Sequence, residues 1–252
     1  RVDADFAKGD ARLYTTLTRR PRVRTKPGMP GGEKTVLEKG TGRFGDCLSF
    51  KDITAQRIHF ALEKNLTYRK QDWQGTVSVW LRTTPDEDLA PGYTDPLQIT
   101  PRSALDACFF TEFGIEDPRP FRLGAFADKT AWNPAGKPTK EIALPDRPLI
   151  HVDHPPFSRD RWTHIVFTWT GFNSGDTKGI TKLYLDGKPG GTMSGWNQQF
   201  TWDLAQAQIR LGVKFIGRLD ELSCFERALS PVEVRQLHAL KDGVKSILPK
   251  KT

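Results

Sequence analysis

A carboxylate in an apolar strand pattern is the first sign of chemistry in this sequence. From Phe215 to Phe225 the residues alternate, and Asp220 falls in phase with Leu222 and Cys224. A carboxylate aimed where its neighbours are apolar needs a cation, an arginine or several backbone donors. Other acids are less well placed for joint work. Asp86, Glu87 and Asp88 are adjacent after Pro85, so a loop suits them better than a strand that would aim them apart. Glu112 and Glu116 are separated by Gly114, which breaks an alternating pattern. His151, Asp153 and His154 form the one His/Asp cluster, but Pro155 and Pro156 follow at once and no further histidine pair completes a three-ligand zinc site. His164 lies opposite the apolar face of its strand, a structural or exposed position rather than that of a base. Neither a Gly-x-Ser-x-Gly nucleophile turn nor a phosphate-binding glycine loop occurs.

Aromatic side chains offer a different chemistry. Flat rings beside amides suit sugar recognition, with the ring face stacking and the amides hydrogen-bonding. Trp132 (in Ala-Trp-Asn-Pro), Trp196 (in Ser-Gly-Trp-Asn-Gln-Gln) and Trp202 (next to Asp203) occur in loop-like sequence. They are the candidate ligand residues, with Asn197, Gln198 and Gln199 as hydrogen-bonding partners. Trp80, Trp162 and Trp169 lie in strand patterns and read as core or sheet-face residues.

The elements that must position these residues are mostly strands. Phe44, Leu48 and Phe50 share a phase, as do Ile58, Phe60 and Leu62. Residues 76–81 and 161–169 alternate strongly, the latter with Ile165, Phe167 and Trp169 on one face. Residues 182–185 run into Asp186-Gly187, a type I′ hairpin signal. Residues 208–211 and 216–225 complete the set. Between Thr83 and Asp160 the prolines predict long loops linking short strands at 97–99, 107–113 and 121–127. One helix is predicted at the end. Ser230 caps it, Pro231 suits its first position, Glu233 completes a capping box, and Val234 and Leu237 form its buried stripe.

Composition bounds the partners. The chain has 252 residues, 37% of them hydrophobic, with 7 Trp and 15 Phe, enough for a substantial core. No run approaches the roughly 18 apolar residues of a membrane helix. Net charge is +8, but Arg19, Arg20, Arg22, Arg24 and Lys26 crowd one end and Lys245, Lys250 and Lys251 the other. Such solvated arms argue against a nucleic-acid face. Cys47, Cys108 and Cys224 form no Cys-x-x-Cys; they read as buried small hydrophobes, with a Cys47–Cys224 disulfide left open. The sequence opens at Arg1 with no leader pattern, which fits a mature chain whose leader was removed.

Six segments in order carry a resemblance: Gly-x-Phe-Gly-x-x-Leu-x-Phe at 42–50, Val-Ser-Val-Trp-Leu at 77–81, Arg-Trp-Thr-His-Ile-Val-Phe-Thr-Trp at 161–169, Leu-Tyr-Leu-Asp-Gly-Lys at 183–188, Ile-Arg-Leu-Gly at 209–212, and Phe-Ile-Gly-Arg-Leu-Asp-Glu-Leu through Arg-Ala-Leu-Ser at 215–230. The chain resembles the laminin-G-like jelly-roll domains of the concanavalin A-like lectin/glucanase superfamily over about residues 40–240. The resemblance implies an all-β, two-sheet antiparallel jelly-roll sandwich with a short C-terminal helix. Residues 1–240 form one domain on this reading, with an N-terminal strand and polar loop over 1–40, elongated middle loops over 83–158, and a basic tail over 241–252. The resemblance further implies a structural calcium ion at Asp220, with Asp3 and Asp5 as N-terminal ligand candidates. Glucanases of the superfamily carry Glu-x-Asp-x-Glu on one strand, and no Glu-x-Asp occurs in this chain. The expected function is therefore non-catalytic recognition, of carbohydrate or of a surface protein, by a secreted, periplasmic or cell-surface module. A protein-docking scaffold and a polysaccharide hydrolase using Glu112 or Glu116 are the competing expectations.

Overall fold

Alternation with period two gives each strand an apolar and a polar face, and two such sheets bury their apolar faces against each other. A computed structural model describes residues 14–16, 34–53 and 57–247. It contains β1 (Tyr14–Thr16), β2 (Thr35–Glu38), β3 (Cys47–Phe50), β4 (Arg57–Ala61), β5 (Trp73–Arg82), β6 (Thr94–Thr100), β7 (Cys108–Phe113), β8 (Phe121–Phe126), β9 (Leu149–Val152), β10 (Thr163–Phe172), β11 (Ile180–Leu185), β12 (Lys188–Met193), β13 (Gln208–Val213) and β14 (Gly217–Phe225). Short helices α1 (Pro85–Asp88) and α2 (Lys129–Trp132) lie in the middle, and α3 (Pro231–His238) follows the last strand. One antiparallel sheet, here the front sheet, has the order β1-β4-β13-β6-β7-β8-β9; the back sheet runs β12-β11-β10-β5-β14-β3-β2. The all-β sandwich expected from the sequence is the observed fold. The middle of the chain, expected as long loops between short strands, supplies four of the seven front strands, β6 to β9. No helix among the described residues is long and apolar enough to cross a membrane.

The core lies between the sheets and is aromatic at its centre. Trp73 is fully buried, and its ring meets Trp169, Trp202, Phe109 and Phe200 at centroid separations of 4.9–5.7 Å. Its indole N–H donates to the Thr67 carbonyl at 2.7 Å, so a polar atom is satisfied inside the apolar layer. The Asp186-Gly187 turn forms as expected, with φ of 51° and 74° at the two residues. Asp186 tolerates the left-handed region, and Gly187 enters it without a Cβ penalty.

All three cysteines are free and buried. The Cys47–Cys224 pairing left open by the sequence does not form. Leu219 faces Leu48 across β14 and β3, which points Cys47 towards Asp220, four residues before Cys224.

The back sheet's outer face is covered by α3. The capping box is complete: Ser230 Oγ accepts from the Glu233 N–H, and the Glu233 carboxylate accepts from the Ser230 N–H at 2.8 Å. Val234 and Leu237 pack with Val166, Tyr184, Leu229 and Val244 in a second, smaller core. Of the two positions expected for His164, exposed or structural, the structure shows the second: it is fully buried beneath this layer. Its ring stacks on Trp80 at 4.4 Å and faces His238 of α3 at 5.5 Å, while its Nε2 bonds to Ser78 Oγ at 2.8 Å. Burial, with smaller contributions from His238 and Arg43, pushes the His164 pKa down to about 3. A depressed histidine pKa means that the unfolded chain binds the proton first, so its stabilising share is lost as pH falls from about 6.5 towards 3. Thermal melts at pH 7 and pH 4 are expected to show a large drop in the wild type and a smaller one in His164→Phe. Equal drops would mean that this residue does not carry the acid sensitivity.

Candidate functional site

Outward positions on the front sheet carry polar groups, as half-exposed strands require, but here they pack together instead of pointing singly into solvent. Register places His59 of β4 opposite Arg210 of β13, and Arg210 opposite Gln98 of β6. Along the next row Glu112 of β7 faces Arg122 of β8, which faces His151 of β9. Arg122 is only 2% exposed, Gln98 6% and His59 4%, low values for polar side chains on the outer side of a sheet. Beside them the tip of the Phe110 ring meets Gly124, where a Cβ would stand 2.2 Å from the ring, so a larger residue would displace it.

Arg122 is the hub. Its guanidinium pairs with Glu112 at 3.4 Å, with the Glu116 carboxylate, and through Nε with His151 Nδ1 at 3.3 Å. His151 Nε2 bonds in turn to Asp153 at 2.9 Å. On the outside, Tyr93 leaves 44% of its surface exposed, with the Arg122 guanidinium 5.7 Å from its ring centroid. Burial, reinforced by the nearby Asp95 and opposed by Arg122, raises the Glu112 pKa to about 7. Glu112 can thus donate or accept a hydrogen bond at neutral pH. In the neighbouring row Gln98 donates to the Asp95 carboxylate. Planar amides, guanidinium and carboxyl groups next to an aromatic face suit hydroxyl-rich ligands, because they pair with vicinal hydroxyls while the ring covers C–H surface.

The residues singled out from the sequence are placed differently. Trp132 is buried, its ring edge-on to Phe126 at 4.8 Å and its indole N–H on the Leu105 carbonyl at 3.0 Å. Trp202 is buried in the Trp73 cluster, its indole N–H on the Ala107 carbonyl at 2.8 Å. Their polar neighbours had marked them as loop residues, but both ring faces are covered by the core. Trp196 is partly buried and packs on the same core. Gln198 is buried, Asn197 and Gln199 are half-buried, and the Gln199 carbonyl accepts the Asp128 N–H at 2.8 Å. Of the three tryptophans, Trp196 alone stays partly exposed.

Asp220 is buried, but a bulge between Asp220 and Ser223 takes it out of phase with Leu222 and Cys224, and it lies on the outer face of its strand, opposite Trp80. Its Oδ2 accepts the Phe44 N–H at 3.0 Å and its Oδ1 the Glu221 N–H at 2.8 Å. Asp3 and Asp5 lie outside the described residues, and among the described residues no group of three or more His, Cys, Asp or Glu side chains converges. Asp220 therefore clamps the 40–46 loop, and the calcium expectation rests on Asp3 and Asp5 as well, which the described residues do not include. Glu112 was considered from the sequence; Arg122, Tyr93 and Gln98 were not. A signal for Arg122 existed: residues 107–113 and 121–127 alternate about a proline-rich turn, and pairing them puts Glu112 and Arg122 side by side.

The laminin G model of the concanavalin A-like lectin/glucanases superfamily matches residues 59–235, well over half of the chain. The chain belongs to that superfamily. No curated protein sequence matches it. Among solved structures, this superfamily member is similar to domain 4 of AbnA, a GH43 extracellular arabinanase from Geobacillus stearothermophilus, in complex with arabinotriose, at 18% identity and a TM-score of 0.50 over 82% of each chain. It is also similar to the receptor binding domain of botulinum neurotoxin D, at 12% identity and a TM-score of 0.52 over 91% of this chain and 52% of that one. The binding domain of botulinum neurotoxin DC in complex with rat synaptotagmin II matches with the same identity, TM-score and coverage. The chain thus spans about half the length of the toxin domains. At such identities the shared property is the fold, and function has to be argued from the site.

Proposed function

We propose that this protein is a non-catalytic, extracytoplasmic recognition module that binds carbohydrate on the outer face of its front sheet. The observation that carries the reading is the exposed Tyr93 ring beside the buried Arg122 guanidinium, whose partners Glu112 and His151 lie in the same cross-strand row. The arabinotriose complex of domain 4 of AbnA supports the reading, since a sandwich of this shape is known with a bound oligosaccharide.

The test is titration with a panel of neutral and acidic polysaccharides. Binding to at least one glycan is expected, weakened about tenfold or more by Tyr93→Ala, as for loss of a stacking contact of roughly 1–2 kcal/mol. Tyr93→Ala is on the surface and should leave the melting temperature nearly unchanged. Unchanged affinity in that variant, for a glycan that the wild type binds, would sink the proposal. So would a blank panel, and a stable protein partner in pull-downs would then identify a docking module. Release of reducing ends from any polymer, abolished in Glu112→Gln, would instead make the same face hydrolytic.

A further inference from the structure

A second charged feature lies on the back sheet, at the edge away from α3. Register places Arg218 of β14 directly opposite Arg82 of β5, with Ser49 of β3 on the other side. Like charges directly opposite on neighbouring strands repel. Arg218 is neutralised: its Nε donates to Glu38 at 2.7 Å, and Lys51 pairs with the same carboxylate at 2.7 Å. Glu38 is firmly ionised, its pKa held down to about 2 chiefly by Lys51, with Arg218 adding to the effect against its own burial. Arg82 has no such partner among the described residues. Its Nε donates to the Arg159 carbonyl, and no carboxylate among the described residues lies within 4.0 Å of its guanidinium.

The two arginines line a cleft of about 320 Å³. Lys51 and Arg159 join them, while Glu38 and Asp88 are the only carboxylates in the lining among the described residues. Arg159 is already paired with Asp88 and Glu87, both at 2.7 Å. The volume is at the lower end of ligand clefts and suits one or two sugar rings. An oxyanion on Arg82 would supply the counter-charge that Glu38 already gives Arg218, and would gain the charge-assisted bonds that a planar guanidinium fork makes best.

We infer that this cleft binds an oxyanion carried by a saccharide, a carboxylate or a sulfate, with Arg82 as its principal contact. The identity of the carrier rests on the carbohydrate reading above; the anion site itself rests on the Arg82–Arg218 pair. The site lies on the opposite sheet from Tyr93, so the protein would grip an acidic glycan separately from the hydroxyl-rich face.

Affinity electrophoresis or titration calorimetry with polygalacturonate, dextran sulfate and neutral arabinan tests the inference. Tighter binding of at least one acidic polymer than of arabinan is expected, and which one responds distinguishes carboxylate from sulfate. Arg82→Gln should weaken that binding about tenfold or more. Lys140→Gln removes one exposed charge in the segment between β8 and β9 and controls for diffuse attraction to a chain of net charge +8. Lys51→Gln, at an exposed cleft position, gives a second reading should Arg82→Gln fold poorly. Equal effects of the cleft variants and Lys140→Gln would overturn the site, as would acidic polymers bound no better than arabinan. Tyr93→Ala is expected to leave the acidic preference in place, so failure here and failure of the front-face reading are told apart.

Discussion

Replacing Trp73 with alanine is expected to lower the unfolding free energy by about 3–5 kcal/mol. The ring is fully buried and touches aromatic residues from both sheets and from the 200–202 segment. Deleting it removes the transfer energy of the indole and leaves a cavity whose walls are rigid rings that cannot collapse into it. It also leaves the Thr67 carbonyl without the donor it now holds at 2.7 Å. Urea denaturation of the wild type and Trp73→Ala would measure the loss. Trp73→Phe should recover part of it. A loss below about 1 kcal/mol would show that the aromatic cluster repacks freely, against the close packing expected of a protein interior.

Arg122→Met should be nearly as costly, for an electrostatic reason. Methionine restores much of the volume, but Glu112 and Glu116 lose the cation between them. Breaking a buried pair by removing one partner typically costs about 3–5 kcal/mol, because a desolvated charge is left uncompensated. The size should depend on pH. Glu112 has a pKa raised to about 7 in the folded protein, so the native state holds this proton more tightly than the unfolded chain. Its stabilising contribution is present below the ordinary value of 4.5 and is lost as pH rises through about 7. In Arg122→Met a neutral Glu112 is tolerated and an ionised one is not. Urea unfolding should therefore show a larger penalty at pH 8 than at pH 5. Glu112→Gln in the Arg122→Met background should remove most of that difference. A penalty independent of pH would mean that packing, and not the Glu112 charge, holds Arg122 in place.

These groups also show where sequence reading reaches and where it stops. Residues 76–81 and 161–169 announced β5 and β10, because an inward apolar set repeated at every second position has no other economical structure. The Asp186-Gly187 hairpin and the Ser230–Glu233 capping box were legible for the same kind of reason: each is satisfied within a few residues by backbone geometry. The order of six short segments was enough to indicate the family. Local chemistry misled at Trp132 and Trp202. Amides and acids beside them suggested open loops, whereas each indole N–H takes up a backbone carbonyl and lets the ring enter the core.

The sequence by itself determined the all-β class, the two central back-sheet strands, the hairpin, the terminal helix and the family. Only the tertiary structure decided which polar residues meet. Arg122 and Glu112 are joined by strand pairing across a turn, and Arg82 and Arg218 stand opposite each other from positions far apart in the chain. It also decided that His164 is sealed beneath α3 and that Asp220 clamps a loop by accepting backbone N–H groups. The physical reason is common to all of these. Strand formation follows from local alternation, but register and face-covering are set by contacts between distant segments, and a one-residue slip would send every one of these side chains to the other face.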